Sequence, residues 1–303
     1  MIRFQKMTLE DRPLVEGQLW QAGERGCEYS FANLYLWGRQ RFAFVDGFLV
    51  LFSQFDRRSV YPFPVGQGNV KPVLDKLIHD AAVRDIPCRI TGMSREECEL
   101  LETLYPGRFR IHCDRSGFDY VYDIHDLAEL KGRKYQKKRN HLNRYHQSHP
   151  QSTAQPLSEE NLEAVRQMAL QWYEDRQREM PEADFHMERT ALLKALEQHR
   201  ALGMEGLVLR EGERVIAFTL GSFLKADTVD VHFEKAVSDV DGAYAAVNCA
   251  FARYLREKYP RLLYLNREDD MGLEGLRKAK LSYCPHHLVE KYWACLLEDG
   301  YEY

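Results

Sequence analysis

The sequence predicts a mixed α/β protein made of two successive units, and three observations predict it. Its 303 residues exceed what one hydrophobic core ordinarily serves, so two cores are expected. Short apolar runs of strand length alternate with helical stripes in both halves. Between the halves lies a polar, basic stretch, 123–157, closed by His149-Pro150 and Gln155-Pro156. The expected units are 1–125 and 126–303, the second opening on a basic helix over 127–146.

A hydrophobic content of 45% with 29% charged residues is that of a folded globular chain rather than a disordered one. The longest apolar runs, such as Phe48–Phe52, are far too short to span a bilayer. Residues 1–10 lack the apolar core of a secretion signal, so a cytoplasmic location is expected. Seven scattered cysteines form no CxxC pair and are odd in number, so neither a disulfide framework nor a metal centre is expected.

In the first half, Thr8 caps a helical stretch, and Arg41–Val45 and Phe48–Phe52 read as strands. Val73, Leu74, Leu77, Ile78 and Ala81 share one helix face. After the strand Cys88–Thr91, Ser94 and Glu97 form a capping box that opens a helix, and Pro106-Gly107 stops it. Phe109–His112 and Phe118–Tyr122 read as a hairpin closing this half.

In the second half, Leu162, Val165, Met168, Ala169 and Trp172 make one helical stripe, and Leu192, Leu193 and Leu196 another. Gly206–Arg210, Arg214–Ser222 and Thr228–Glu234 read as consecutive strands. A long helix begins near Gly242 with Asp241 as its expected cap, followed by the strand Leu262–Asn266, a short helix and a last strand over His287–Ala294.

The chemistry concentrates in two places. Alternation along Thr228–Glu234 puts Asp230, His232 and Glu234 on one face, making Glu234 and His232 candidate bases with coupled titration and Asp230 a candidate substrate contact. A strand with one wet face gives the same pattern. After the next strand, Asn266, Arg267 and Glu268 bring an arginine beside carboxylates, a pattern that orients charged substrates. Lys278 and Lys280 could present positive charge to a substrate, although a short lysine-bearing helix is also a common solvated face. Lys235 and Asn248 are candidates to line the same cleft. Arg133, Lys134, Lys137, Lys138 and Arg139 form a run suited to a polyanion such as tRNA, a nucleotide carrier or a lipid headgroup, or to ion pairs with the acidic remainder of the chain.

Four segments, Phe31–Trp37, Lys131–Asn140, Gly242–Asn248 and Asn266–Tyr283, resemble a bacterial family akin to the C-terminal domain of phosphatidylglycerol lysyltransferases. The element order of the second half is similar to that of GCN5-related N-acetyltransferases, with the first half a degenerate copy. The resemblance implies tandem acyltransferase domains with mixed sheets flanked by helices. It implies transfer of an aminoacyl or other acyl group from aminoacyl-tRNA or acyl-CoA to an amine or hydroxyl on a small molecule or lipid headgroup. It places Glu234, His232, Arg267 and Glu268 at the reacting centre and Tyr283 where the fold uses a tyrosine as general acid. The loop Lys235–Ala243 departs from coenzyme-A binders, since it carries Asp239 and Asp241 and only Gly242 where those cradle pyrophosphate. A coenzyme-A-dependent acetyltransferase and a non-catalytic nucleotide- or RNA-binding module are the rival readings.

Overall fold

The computed structural model describes residues 1–23, 25–55 and 58–297. The chain begins with β1 (Gln5–Lys6), α1 (Arg12–Leu19), α2 (Phe31–Leu36), β2 (Gln40–Val45), β3 (Phe48–Phe55), β4 (Arg58–Pro62), α3 (Lys71–Arg84), β5 (Arg89–Met93), α4 (Arg95–Leu104) and β6 (Phe109–Cys113). It continues with β7 (Asp119–Asp123), α5 (Ile124–Glu129), α6 (Gln136–Ser148), β8 (Thr153–Pro156), α7 (Glu159–Glu179), α8 (His186–Gln198), β9 (Glu205–Glu211), β10 (Arg214–Lys225) and β11 (Thr228–Ala236). Last come α9 (Ala243–Lys258), β12 (Tyr264–Asn266), α10 (Glu274–Leu281), β13 (His287–Val289) and β14 (Tyr292–Leu296).

Two units result. One comprises Met1–Asp119, Asp269–Leu273 and the chain from Leu288; the other comprises Tyr120–Glu268 and Glu274–His287. The expected contiguous division at 125/126 therefore differs from the observed one, because the chain returns to its first unit near its end. Burial drives that return: Ala294 is fully buried in the same apolar cluster as Val50, Leu77 and Ile90.

In the first unit the sheet order is β1-β2-β3-β4-β5-β14-β6, antiparallel except for the parallel β4–β5 pair. Asp46 and Gly47 join β2 to β3, both with positive φ, as the tight two-residue turn of a twisted hairpin requires. The Ser94/Glu97 and Thr8/Asp11 capping boxes are both present. Lys291 is held by Asp119 at 2.6 Å and Glu28 at 2.8 Å; burial opposes its charge, but the carboxylates outweigh burial and raise its pKa well above the ordinary value. The expected hairpin of Phe109–His112 with Phe118–Tyr122 does not form. β6 pairs with β14, and β7, buried along almost its whole length, pairs in the other sheet with β12.

In the second unit the order is β13-β7-β12-β11-β10-β9-β8. Here β11 and β12 are parallel, and α9 makes the crossover between them, as parallel pairing demands. Helix α7 lies on one face of the sheet, its Trp172 ring 3.9 Å from Lys235 Nζ of β11, and α9 lies on the face of Glu234, to which Asn248 donates. Among the described residues no helix is long and apolar enough to cross a membrane.

Candidate active site

Strand β12 stops at Asn266, opposite Asp230, while β11 runs on to Ala236. The parallel pair thus opens just beyond Asp230, and the carboxyl ends of parallel strands are where α/β folds ordinarily bind ligands. Glu234 sits in this opening. Its Oε1 accepts from Arg267 Nη2 at 2.7 Å and its Oε2 from Asn248 Nδ2 at 3.3 Å. Side-chain exposure is 9% for Glu234 and 15% for Arg267, so each charge depends on the other for its burial.

Arg267 is held from behind by its backbone N–H, which donates to the Tyr120 carbonyl at 2.9 Å. Its guanidinium carbon lies 4.9 Å from the ring centre of Tyr283 and 5.7 Å from that of Tyr122. Its Nη1 is buried without a hydrogen-bond partner. Burial pushes the Tyr283 phenol up to about 12, against the pull of Arg267, so Tyr283 keeps its proton throughout the neutral range.

Lys138 completes the group. Its Nζ lies 3.8 Å from the Tyr283 ring centre, and burial, reinforced by the positive charge of Arg267, pushes its pKa down to about 8. Lys138 and Tyr283 line a cavity of about 400 Å³, together with His141, Arg176, Tyr244 and the first turn of α9. This lysine is therefore a site group rather than one more charge in the basic run. The sequence carried a signal for it: Tyr135, Lys138, Leu142 and Tyr145 recur at three and four residues, and the other three are buried.

His232 does not pair with Glu234. Leu220 and Gly221 of β10 pair with Phe233 and Val231, which leaves His232 as the extra residue of a bulge, a device that re-aims a side chain. Gly221 permits the close approach, since a Cβ there would stand 2.6 Å from the Asp230 carbonyl oxygen. The His232 ring is 1% exposed, with Nε2 at 2.7 Å from Ser222 Oγ and Nδ1 at 3.5 Å from Asp230 and 3.4 Å from Glu268. Such burial takes His232 and Asp230 away from direct substrate contact. Nothing in an apolar strand distinguishes a serine that meets a cross-strand imidazole, so the sequence does not mark Ser222.

Other expected site residues build the scaffold instead. Asn266, fully buried, accepts from the Glu268 N–H at 2.8 Å, and the Glu268 carbonyl accepts from Lys280 Nζ at 3.0 Å and from the Tyr120 N–H at 3.2 Å. These bonds hold Glu268 at φ 54. Lys235 points to the opposite face, where Glu188 accepts from it at 2.6 Å. Lys278 is exposed and pairs with Glu274 at 2.6 Å.

The basic segment also departs from the continuous helix expected over 127–146. Leu130 and Gly132 take positive φ and break it, and Arg139 donates to both of their carbonyls, 2.6 Å for Gly132. Lys134 pairs with Asp126 at 2.9 Å. Arg133 and Lys137 are exposed. Asp241 does not cap α9, where Gly242 is the N-cap; it pairs with Arg144, and Asp239 pairs with Arg214 at 2.7 Å. Both aspartates in the loop before α9 are thus neutralised by arginines.

Two mixed sheets flanked by helices, with a parallel pair opening around a crossover helix, define a tandem acyltransferase fold. Over residues 21–295 the chain matches the family described as phosphatidylglycerol lysyltransferase, C-terminal, and it belongs to that family. It is similar to a conserved protein of unknown function from Bacteroides thetaiotaomicron VPI-5482, at 38% identity and a TM-score of 0.92, covering 98% of this chain and 100% of that one. It shares its fold with L-PGS from Bacillus licheniformis, at 17% identity and a TM-score of 0.67, covering 94% and 92%. An uncharacterized protein of Mycoplasmoides gallisepticum is 25% identical over 181 residues, which span 58% of this chain and 56% of that protein.

Proposed function

We propose that this protein moves an aminoacyl group, or another acyl group, from an activated carrier to an amine or hydroxyl acceptor. The observation that carries this reading is the chain of contacts Lys138–Tyr283–Arg267–Glu234–Asn248 at the open end of a parallel strand pair. It supplies one group of each kind that acyl transfer needs. Lys138, with a pKa about 8, takes the proton of the attacking amine or hydroxyl. Tyr283, which keeps its proton in the neutral range, delivers one to the departing oxygen or sulfur of the carrier. The Glu234–Arg267 pair holds the charge pattern behind Tyr283, the arginine's positive charge favouring negative charge that develops beside that ring.

The family's name makes a lysyl group the first cargo to try and phosphatidylglycerol the first acceptor, with aminoacyl-tRNA the carrier that the sequence resemblance implies. Exposed Arg133 and Lys137 are the remaining candidates of the basic segment for phosphate contact. The rival donor is acetyl-CoA, whose case is strengthened by the pairing of Asp239 and Asp241 with arginines. Incubation with radiolabelled lysyl-tRNA or with acetyl-CoA, each with anionic lipid vesicles and with small amines as acceptors, tests the reading. Labelled product that disappears in Lys138→Met and Tyr283→Phe supports it. Turnover with acetyl-CoA alone selects the rival donor, and tight carrier binding without product from any pair selects the non-catalytic module.

A further inference from the structure

We propose that Asp230, His232 and Glu268 form a binding site for one divalent transition-metal ion, Zn2+ in the first place. One donor atom from each lies within 4.8 Å of the others. His232 Nδ1 stands 3.5 Å from Asp230 Oδ2 and 3.4 Å from Glu268 Oε1. Both distances exceed the range of about 2.7–3.2 Å for an N–H···O hydrogen bond. Both lie within about 0.2 Å of the edge of a tetrahedron whose centre is about 2.0–2.1 Å from each donor, roughly 3.3–3.4 Å.

The chemistry of the imidazole agrees with that spacing. Nδ1 is buried and has no hydrogen bond, while Nε2 meets Ser222 Oγ at 2.7 Å. A hydrogen bond from Nε2–H to the serine oxygen leaves the Nδ1 lone pair directed at the two carboxylates, the arrangement in which an outer partner fixes the tautomer of a ligating histidine. The bulge at His232 and the left-handed backbone at Glu268 are the two local distortions that aim these side chains at one point. Two carboxylates and a neutral imidazole would neutralise a divalent cation, and an N/O donor set suits Zn2+ or Mn2+. Glu268, with 26% of its side chain exposed, opens a fourth position toward solvent. Bound there, the ion ties β11 to the turn that carries Arg267 and so acts as a positioning element for the Glu234–Arg267 pair.

This inference goes beyond acyl transfer, and its readout needs no turnover. Metal-free protein is titrated with Zn2+ and with Mn2+ by calorimetry, and with Co2+ by visible absorption. One equivalent per chain, and a Co2+ spectrum of tetrahedral type, are expected. His232→Ala and Asp230→Asn abolish binding, Ser222→Ala weakens it about 10–100-fold, and Glu234→Gln, outside the donor set, binds metal as the native protein does. Absence of binding in the native protein at millimolar metal overturns the proposal, whatever the variants do. So does undiminished binding by folded His232→Ala and Asp230→Asn.

Discussion

Replacing Lys138 by Met should make the protein more stable at pH 7 while removing transfer. The ammonium is half-buried, and its pKa falls from an ordinary 10.5 to about 8, chiefly through burial. Expressed wholly as stability that fall is worth about 3 kcal/mol, and solvent screening of a half-exposed group reduces it to about 1.5 kcal/mol. Loss of the cation–π contact with Tyr283 costs about 0.5 kcal/mol in return, so a net gain of about 1 kcal/mol remains. Methionine keeps the apolar stem and its packing. The sign follows from proton counting: between pH 8 and 10.5 the unfolded chain binds the proton and the folded protein does not, so the native protein gains stability as pH rises through this window. The advantage of Lys138→Met is therefore full below pH 8 and gone above about pH 10.5. Urea unfolding of both proteins at pH 7 and pH 10.5 measures it. A variant less stable than the native protein at pH 7, or an increment independent of pH, would refute the reasoning that a costly charge is kept at this position for function.

Arg267→Ala strands a buried carboxylate and should cost about 3–5 kcal/mol, whereas the double variant Glu234→Leu with Arg267→Met should recover most of that stability in denaturant unfolding and none of the activity. Tyr283→Phe should leave the unfolding midpoint within experimental scatter yet lower the turnover rate about a hundredfold or more, separating a proton donor from a packing ring. Gly242→Ala should destabilise by about 2–3 kcal/mol, read by thermal unfolding, because φ is +81° and the new Cβ would stand 2.4 Å from the His141 carbonyl oxygen. An Ala variant of native stability would mean that α6 and α9 separate without cost.

Local chemistry made much of the architecture legible. The Ser94/Glu97 box, the helical stripes and the three strands β9, β10 and β11 depend on residues close in sequence, and the structure has them where spacing puts them. Glu234 and Arg267 were also visible, as charges at strand ends in a region of motif resemblance. What alternation could not reveal was the bulge at His232, which depends on the residues opposite in β10 and turns the histidine from Glu234 toward Asp230 and Glu268. Nor could charge counting tell that Arg139 serves two carbonyls and Arg144 an aspartate, while Lys138 meets the ring of Tyr283 from the far end of the chain.

The sequence by itself determined most of the elements, the fold class and the family, because capping, periodicity and motif spacing act over a few residues. Only the tertiary structure decided which strands share a sheet, that the last strand returns to the first unit, and which charges are sealed against one another. Those outcomes depend on burial and on distances between residues far apart in the chain: the same lysine is an ordinary cation in water and a base near neutrality when packed between Tyr283 and the charge of Arg267.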